Sequence, residues 1–201
     1  MSTFTLILVS SALCTALVQL IVLRRSQDRL RRLSYEDPLT GLPNRRAWDH
    51  ATDALIDRGH AFAFVLFDMA NLKAANTALG HVGADNLIRR AEEATRGGEP
   101  FYRVGGDEFA LLLPGDGCDV DVAHAEAARM RIERQFGTTH VASRAPVFLA
   151  GAAGSWKPGE DFAGACVETD AALDQHKLAR KSALGAHLNR EDALAGMVAA
   201  A

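Results

Sequence analysis

The sequence is poor in cysteine. It has three, Cys14, Cys118 and Cys166, with no CxxC pair and no cluster with histidine. A disulfide framework or a structural zinc site is therefore not expected, and a reducing compartment suits the chain. An excess of positive charge is also missing: 22 Lys and Arg stand against 25 Asp and Glu, a net charge of -3. Bulk charge thus gives no reason to expect nucleic-acid binding. No internal repeat occurs. With 48% hydrophobic and 23% charged residues, wholesale disorder is excluded. The 201 residues suit one domain with a short appendage, and are too few for two ordinary domains and a linker.

One local absence stands out. Phe4 to Leu23, FTLILVSSALCTALVQLIVL, contains no charge, and five arginines (Arg24, Arg25, Arg29, Arg31, Arg32) follow with Asp28 as the single acid. A helix of that length spans roughly 30 Å, the thickness of a bilayer core. Because the positive charge follows the apolar run, a cleaved signal peptide is a poor reading. The expectation is a single-pass membrane helix, with the C-terminal bulk cytoplasmic by the positive-inside rule. Leu23, Leu30 and Leu33 could pair two chains as a short coiled coil, or belong to a solvated helix contacting headgroups.

The rest alternates strand and helix signals. Pro38 ends the first helix, and Gly41, Pro43 and Asn44 supply a turn before a helix from about Arg45 to Arg58. Ala61 to Phe67, AFAFVLF, reads as a strand buried on both faces, with Asp68 at its C-terminal end. Helices are expected over Asn71–Leu79 and Asp85–Thr95, and a hairpin of Pro100–Val104 with Glu108–Leu113. Val120–Phe136 reads as a helix, Pro146–Ala153 as a strand, and Asp161–Ala183 as the last helix. The fold class is α/β (α+β): a central mixed sheet flanked by helices. Sites in such folds lie beyond strand ends and on connecting turns.

Gly105-Gly106-Asp107-Glu108 occupies such a turn. Two glycines let a ligand approach the backbone, and Asp107, Glu108 and Asp68 would together bring three carboxylates near one another. They would repel unless a cation sat among them. Mg²⁺ suits hard oxygen ligands plus substrate phosphates, which points to phosphoryl or nucleotidyl transfer. The same residues also fit an ordinary polar turn.

Four segments resemble one family. Arg103-Val104-Gly105-Gly106-Asp107-Glu108-Phe109 is similar to the signature of the GGDEF family, the diguanylate cyclases. DPLTGLPNRR (Asp37–Arg46) resembles the opening of that domain, FDMANLKAANTALGHVGAD (Phe67–Asp85) its strand–helix segment, and DAALDQHKLARK (Asp170–Lys181) its last helix. They come in the family's order. The resemblance implies a nucleotidyl-cyclase, palm-like fold. It also implies condensation of two GTP into cyclic di-GMP and two pyrophosphates between two domains of a homodimer. It implies Mg²⁺, with Mn²⁺ as a substitute, held by Asp68, Asp107, the Met69 carbonyl and Glu108, and Asp107 as acceptor of the 3'-hydroxyl proton. Asn76 and Asp85 match guanine readers, His81 a substrate contact, and Lys177 and Lys181 cations near the terminal phosphates. Locally, Asp85 could instead cap a helix, and the two lysines could belong to a solvated face.

The sequence departs from the family at several points. Ala70 stands for a usual Asp, Thr77 for an Asp and Ala84 for a Gly. In the last helix, Asp174 and His176 replace a usual Tyr and Ala, Arg180 a Gly, and Lys181 an Arg, which loses the bidentate fork. These put the pose of that helix in question, so the alternative is a degenerate module that binds GTP or cyclic di-GMP without catalysis. Arg96-Gly97-Gly98-Glu99 falls at the spacing of the product-inhibition motif, with Glu for Asp. It also reads as a helix C-terminus ending at Gly97. The expected division is residues 1–34 as membrane helix and basic stalk, 35–190 as the GGDEF domain, and 191–201 as an Ala-rich tail. The expected place is the bacterial inner membrane with the domain in the cytoplasm.

Overall fold

The computed structural model describes the backbone of residues 3–95, 98–117, 119–141 and 145–199. Side chains of residues 3–10, 12, 28–29, 31–32 and 187–199 lie outside the description. In chain order the elements are α1 (Thr3–Tyr35), α2 (Arg45–Asp57), β1 (Phe62–Ala70), α3 (Leu72–Glu93), β2 (Phe101–Arg103), β3 (Glu108–Pro114), α4 (Val122–Phe136), β4 (Thr138–His140), β5 (Pro146–Trp156) and α5 (Phe162–Ala199).

The five strands form one sheet in the order β2-β3-β1-β5-β4. All four pairings are antiparallel, so the expected mixed sheet is corrected. The hairpin is the cause. Its second strand, β3, inserts between β1 and β2, so β2 never touches the strand it would have paired with in parallel. As expected, β1 is buried on both faces. Its alternation sends Ala63, Val65, Phe67 and Met69 into a core with Ala75 and Leu87 of α3 and Ile132 and Phe136 of α4. Phe62 and Phe64 face the other way, toward Trp48 of α2 and Phe162 of α5. Asp68 stands in that second series, where the period of two calls for an apolar residue.

Local chemistry explains the connections. Asn44 caps α2, its side chain accepting the Ala47 N–H at 3.2 Å. Its amide nitrogen also donates to the Ser34 carbonyl at 3.0 Å, tying down the end of α1. The two helices expected over 71–95 form the single element α3, broken at Gly80 (φ 69°, ψ 175°). That backbone state costs a residue with a Cβ, and glycine adopts it freely. Asp85 consequently lies inside the second half and is not its cap. The last helix runs past Ala183 to Ala199, and the short β4 had no sequence signal beyond two threonines.

Among the described residues, no helix is long and apolar enough to cross a membrane. The expected transmembrane helix is therefore not found there. Residues 4–10 of the apolar run have no described side chains, and an eighteen-residue window starting at Ser11 already reaches Arg24 and Arg25.

Candidate active site

The hairpin turn is built by its own backbone. The Val104 and Gly105 N–H groups both donate to the Glu108 carbonyl, at 3.0 and 3.2 Å. Neither Gly105 nor Gly106 has a positive φ, so the turn does not demand glycine for its dihedrals. Gly105 matters for space: a Cβ there would press on the Glu108 carboxylate, and that exposed side chain would have to move, whereas one on Gly106 would meet no protein atom. The turn is also strutted from outside. Arg103 donates to Asp37 Oδ1 and Oδ2 at 2.9 and 3.1 Å and to the Gly106 carbonyl at 2.7 Å. Both side chains of the Arg103–Asp37 pair are mostly buried. Thr40 adds its N–H and hydroxyl to the same Asp37 oxygen. Burial pushes Asp37 up, but the bonds from Arg103 and Thr40 together outweigh it and hold the carboxyl below its usual range. Sequence reasoning missed this strut, although Asp37 and Arg103 both sat inside recognised motifs.

Asp68 and Glu108 are paired residues of β1 and β3, and directly opposed side chains share a sheet face. Asp107 is the next residue along, and its carbonyl accepts the Met69 N–H at 2.9 Å. Asp107 lies in the bend that precedes β3, near enough for its charge to act on Asp68. Among the described residues no three Asp, Glu, His or Cys side chains form a preformed metal-holding group. Asp68 is ion-paired with Lys177 of α5. Burial pushes the Asp68 carboxyl up, Lys177 pulls it down, and Asp107 and Asp174 push it up again; the net is a raised pKa. This is a carboxylate that gains from a cation. A cavity of about 270 Å³ opens beside it, lined by Arg45, Asp68, Glu108, Cys166, Asp170 and Asp174 among others. The hard oxygens of Asp68 and Glu108, one already drawing an ammonium, fit a divalent cation.

The remaining expected residues are spread around this centre. Asn76 and Asp85 are half-buried and His81 exposed, all on α3. None lines the cavity, because α3 packs on the opposite face of the sheet. The two groups share only the C-terminal end of β1, where the chain turns through Asn71 in the left-handed region (φ 63°). The Asn71 amide donates to the Pro146 carbonyl at 2.7 Å. Lys181 is exposed one turn beyond Lys177. Glu99 is held by Arg131, with one nitrogen 2.8 Å from each carboxylate oxygen; Arg96 lies outside the described residues. His176 and Arg180 point away from the cavity, into contacts with α4 and β5.

Comparison with known proteins places this arrangement. The family model described as "Diguanylate cyclase, GGDEF domain" matches residues 34–183. Diguanylate cyclase VdcA of Vibrio cholerae is 32% identical over 129 residues, covering 62% of this chain and 38% of VdcA. Cyclic di-GMP phosphodiesterase PdeR of Escherichia coli K12 is 33% identical over 135 residues, 63% of this chain and 20% of PdeR. The matched stretch is thus well under half the length of either relative. Among solved structures, the coiled coil and GGDEF domain of DgcB from Caulobacter crescentus, in complex with c-di-GMP, superposes with a TM-score of 0.65. It is 22% identical, covering 85% of this chain and 95% of that one, a likeness of fold.

Proposed function

Because the chain belongs to the diguanylate cyclase GGDEF domain family, we propose that it condenses two GTP into cyclic di-GMP. Each of two domains in a homodimer holds one nucleotide. The 3'-hydroxyl of each GTP attacks the α-phosphate of the other and loses its proton. Each new P–O bond forms as the bond to pyrophosphate breaks, so two pyrophosphates leave. The observation that carries the reading is the Asp68–Glu108 pair, set face to face across β1 and β3 beside the Gly105–Gly106 turn, with Lys177 on Asp68.

The residue roles are those that the family resemblance implies. Asp68 and Glu108, helped by the Met69 carbonyl and by Asp107, would hold Mg²⁺ or Mn²⁺. The cation supplies charge neutralisation at phosphate oxygens. Asp107 is the assigned acceptor of the hydroxyl proton. Lys177 and Lys181 offer cations to the terminal phosphates. Asn76 and Asp85 read guanine from α3 and His81 contacts the nucleotide, so the substrate crosses the end of β1. Gly105 and Gly106 keep the turn open to it. Arg96 and Glu99 remain a candidate product-inhibition site, although the Arg131 bond already engages Glu99.

At the N-terminus, the uncharged run and its arginines support a single-pass anchor in a bacterial inner membrane, with the domain cytoplasmic. Leu17, Val18, Leu20, Val22 and Leu23 of α1 are exposed, so nothing in the described chain covers them.

The test uses the full chain with GTP and Mg²⁺, with cyclic di-GMP read by mass and Asp107→Ala as control. Product is expected, with specific activity rising with protein concentration as pairs form. Intact GTP binding without product would overturn the cyclase reading. It would favour the degenerate binding module, which the likeness to a phosphodiesterase keeps in view. Equal yield from ATP would overturn the guanine assignment of Asn76 and Asp85.

A further inference from the structure

The reaction leaves one buried carboxylate without a role. Glu133 of α4 is 7% exposed. Its Oε1 accepts from Arg129 Nη1 and from the Gly151 backbone N–H, both at 2.7 Å. Its Oε2 accepts from Arg180 Nη1 at 2.8 Å. The same Arg180 nitrogen donates to the Leu149 carbonyl at 2.9 Å, and the guanidinium lies 4.9 Å over the Phe148 ring. His176 Nδ1 lies 2.9 Å from the Gly151 carbonyl and 3.5 Å from Glu133 Oε1.

Strand geometry explains why these groups meet. β4 pairs only with Pro146–Phe148, so β5 has no strand neighbour on that side from Leu149 onward. Bare edge N–H and C=O groups need partners when covered. Glu133 takes the Gly151 N–H, Arg180 the Leu149 carbonyl, and His176 Nδ1 sits at the Gly151 carbonyl. Gly151 leaves the space: a Cβ there would meet the Phe67 ring at 2.7 Å and the Arg129 side chain at 2.9 Å. His176 and Arg180 stand at the two positions where the family usually carries Ala and Gly. What looked like degeneration in sequence is a clamp in the structure.

His176 and Arg180 are one turn apart on one face of α5. Lys177 and Lys181 are the residues that follow them, about 100° round the helix. The clamp therefore sets the rotation of α5 about its axis, and that rotation sets whether Lys177 reaches Asp68. The apolar anchors of α5 flank this stretch, Phe162 and Leu173 before Lys177 and the partly buried Leu184 after it; between Leu173 and Leu184 the polar clamp supplies the directional contacts nearest Lys177. We propose that Glu133 and Arg180 are positioning residues that hold Lys177 in the site, in place of the family's small-residue packing. What Lys177 does there rests on the cyclase reading; where it is held does not.

The test uses the full chain and two variants, Arg180→Ala and the isosteric Glu133→Gln. The first readout needs no nucleotide: the rate at which an amine-reactive reagent labels Lys177, read by mass spectrometry against the exposed Lys73 and Lys157. Both variants are expected to label Lys177 several-fold faster with the reference lysines unchanged. An unchanged Lys177 rate in both overturns the proposal. The second readout is the affinity for GTP relative to GMP. It is expected to fall in both variants toward that of Lys177→Ala, with GMP affinity unchanged and Arg180→Lys restoring part of it. In the double variant, Lys177→Ala should add nothing to Arg180→Ala. Equal loss of GTP and GMP binding would mean general damage to the domain and also overturns it. A wild-type chain that binds no GTP refutes the cyclase reading, and the labelling rate then decides the positioning alone.

Discussion

Gly105 and Gly106 stand side by side and do different work. The carboxylate of Glu108 folds against Gly105, while Gly106 faces open space. Gly105→Ala is expected to displace Glu108 and cut cyclic di-GMP formation by about 100-fold, since a shift of about 1 Å at reacting groups costs that much. Gly106→Ala should leave Glu108 in place and put a methyl where the nucleotide approaches the turn, so its loss should appear as a raised KM for GTP; an unchanged KM would contradict this account. The sequence displayed both glycines and all three acids. It did not display that Glu108 faces Asp68, because that follows from strand register, and register is fixed by a partner strand some forty residues away.

At the scale of elements, two joints carry the site. One is Gly80, which bends α3 between Asn76 and Asp85. Gly80→Ala forces a Cβ into a positive-φ, extended backbone that is nearly glycine-only and should cost about 1–3 kcal/mol in chemical denaturation. It should also raise the KM for GTP by turning one guanine reader relative to the other; an unchanged KM would separate the bend from recognition. The other is the Asp37–Arg103 strut, which fastens the segment after α1 to the hairpin. Removing one partner of a buried pair costs roughly 3–5 kcal/mol, somewhat less at a partly exposed site. Asp37→Asn should therefore lower stability by about 2–3 kcal/mol near neutral pH. Asp37 titrates below its unfolded value, so its contribution is present above that value and lost as pH falls through the folded one. The gap between wild type and variant should accordingly close below about pH 4. A gap that persists in stronger acid would assign the stability to packing. Both joints were half legible: Gly80 lay in the break between two expected helices, and Asp37 and Arg103 lay in motifs. Only the fold showed that the latter two touch.

For the molecule as a whole, α1 meets the domain through Asn44, which caps α2 and holds the end of α1. The Asn44 backbone also bridges to Arg103. A path of backbone and side-chain bonds thus runs from α1 to the signature turn. If α1 sits in a bilayer, the full chain should fractionate with membranes and be released by detergent, not by salt; recovery in the salt wash would leave only the arginines as the attachment. The alternation of strand and helix, the buried β1, the hairpin and the acids at its turn could all be read from the sequence, because periodicity, glycine and charge are local properties. Tertiary structure alone decided that the sheet is antiparallel throughout, that Lys177 reaches Asp68, and that His176 and Arg180 grip the bare edge of β5. Each of those depends on which distant backbone groups find themselves adjacent and in need of a partner, and no local pattern of residues encodes that.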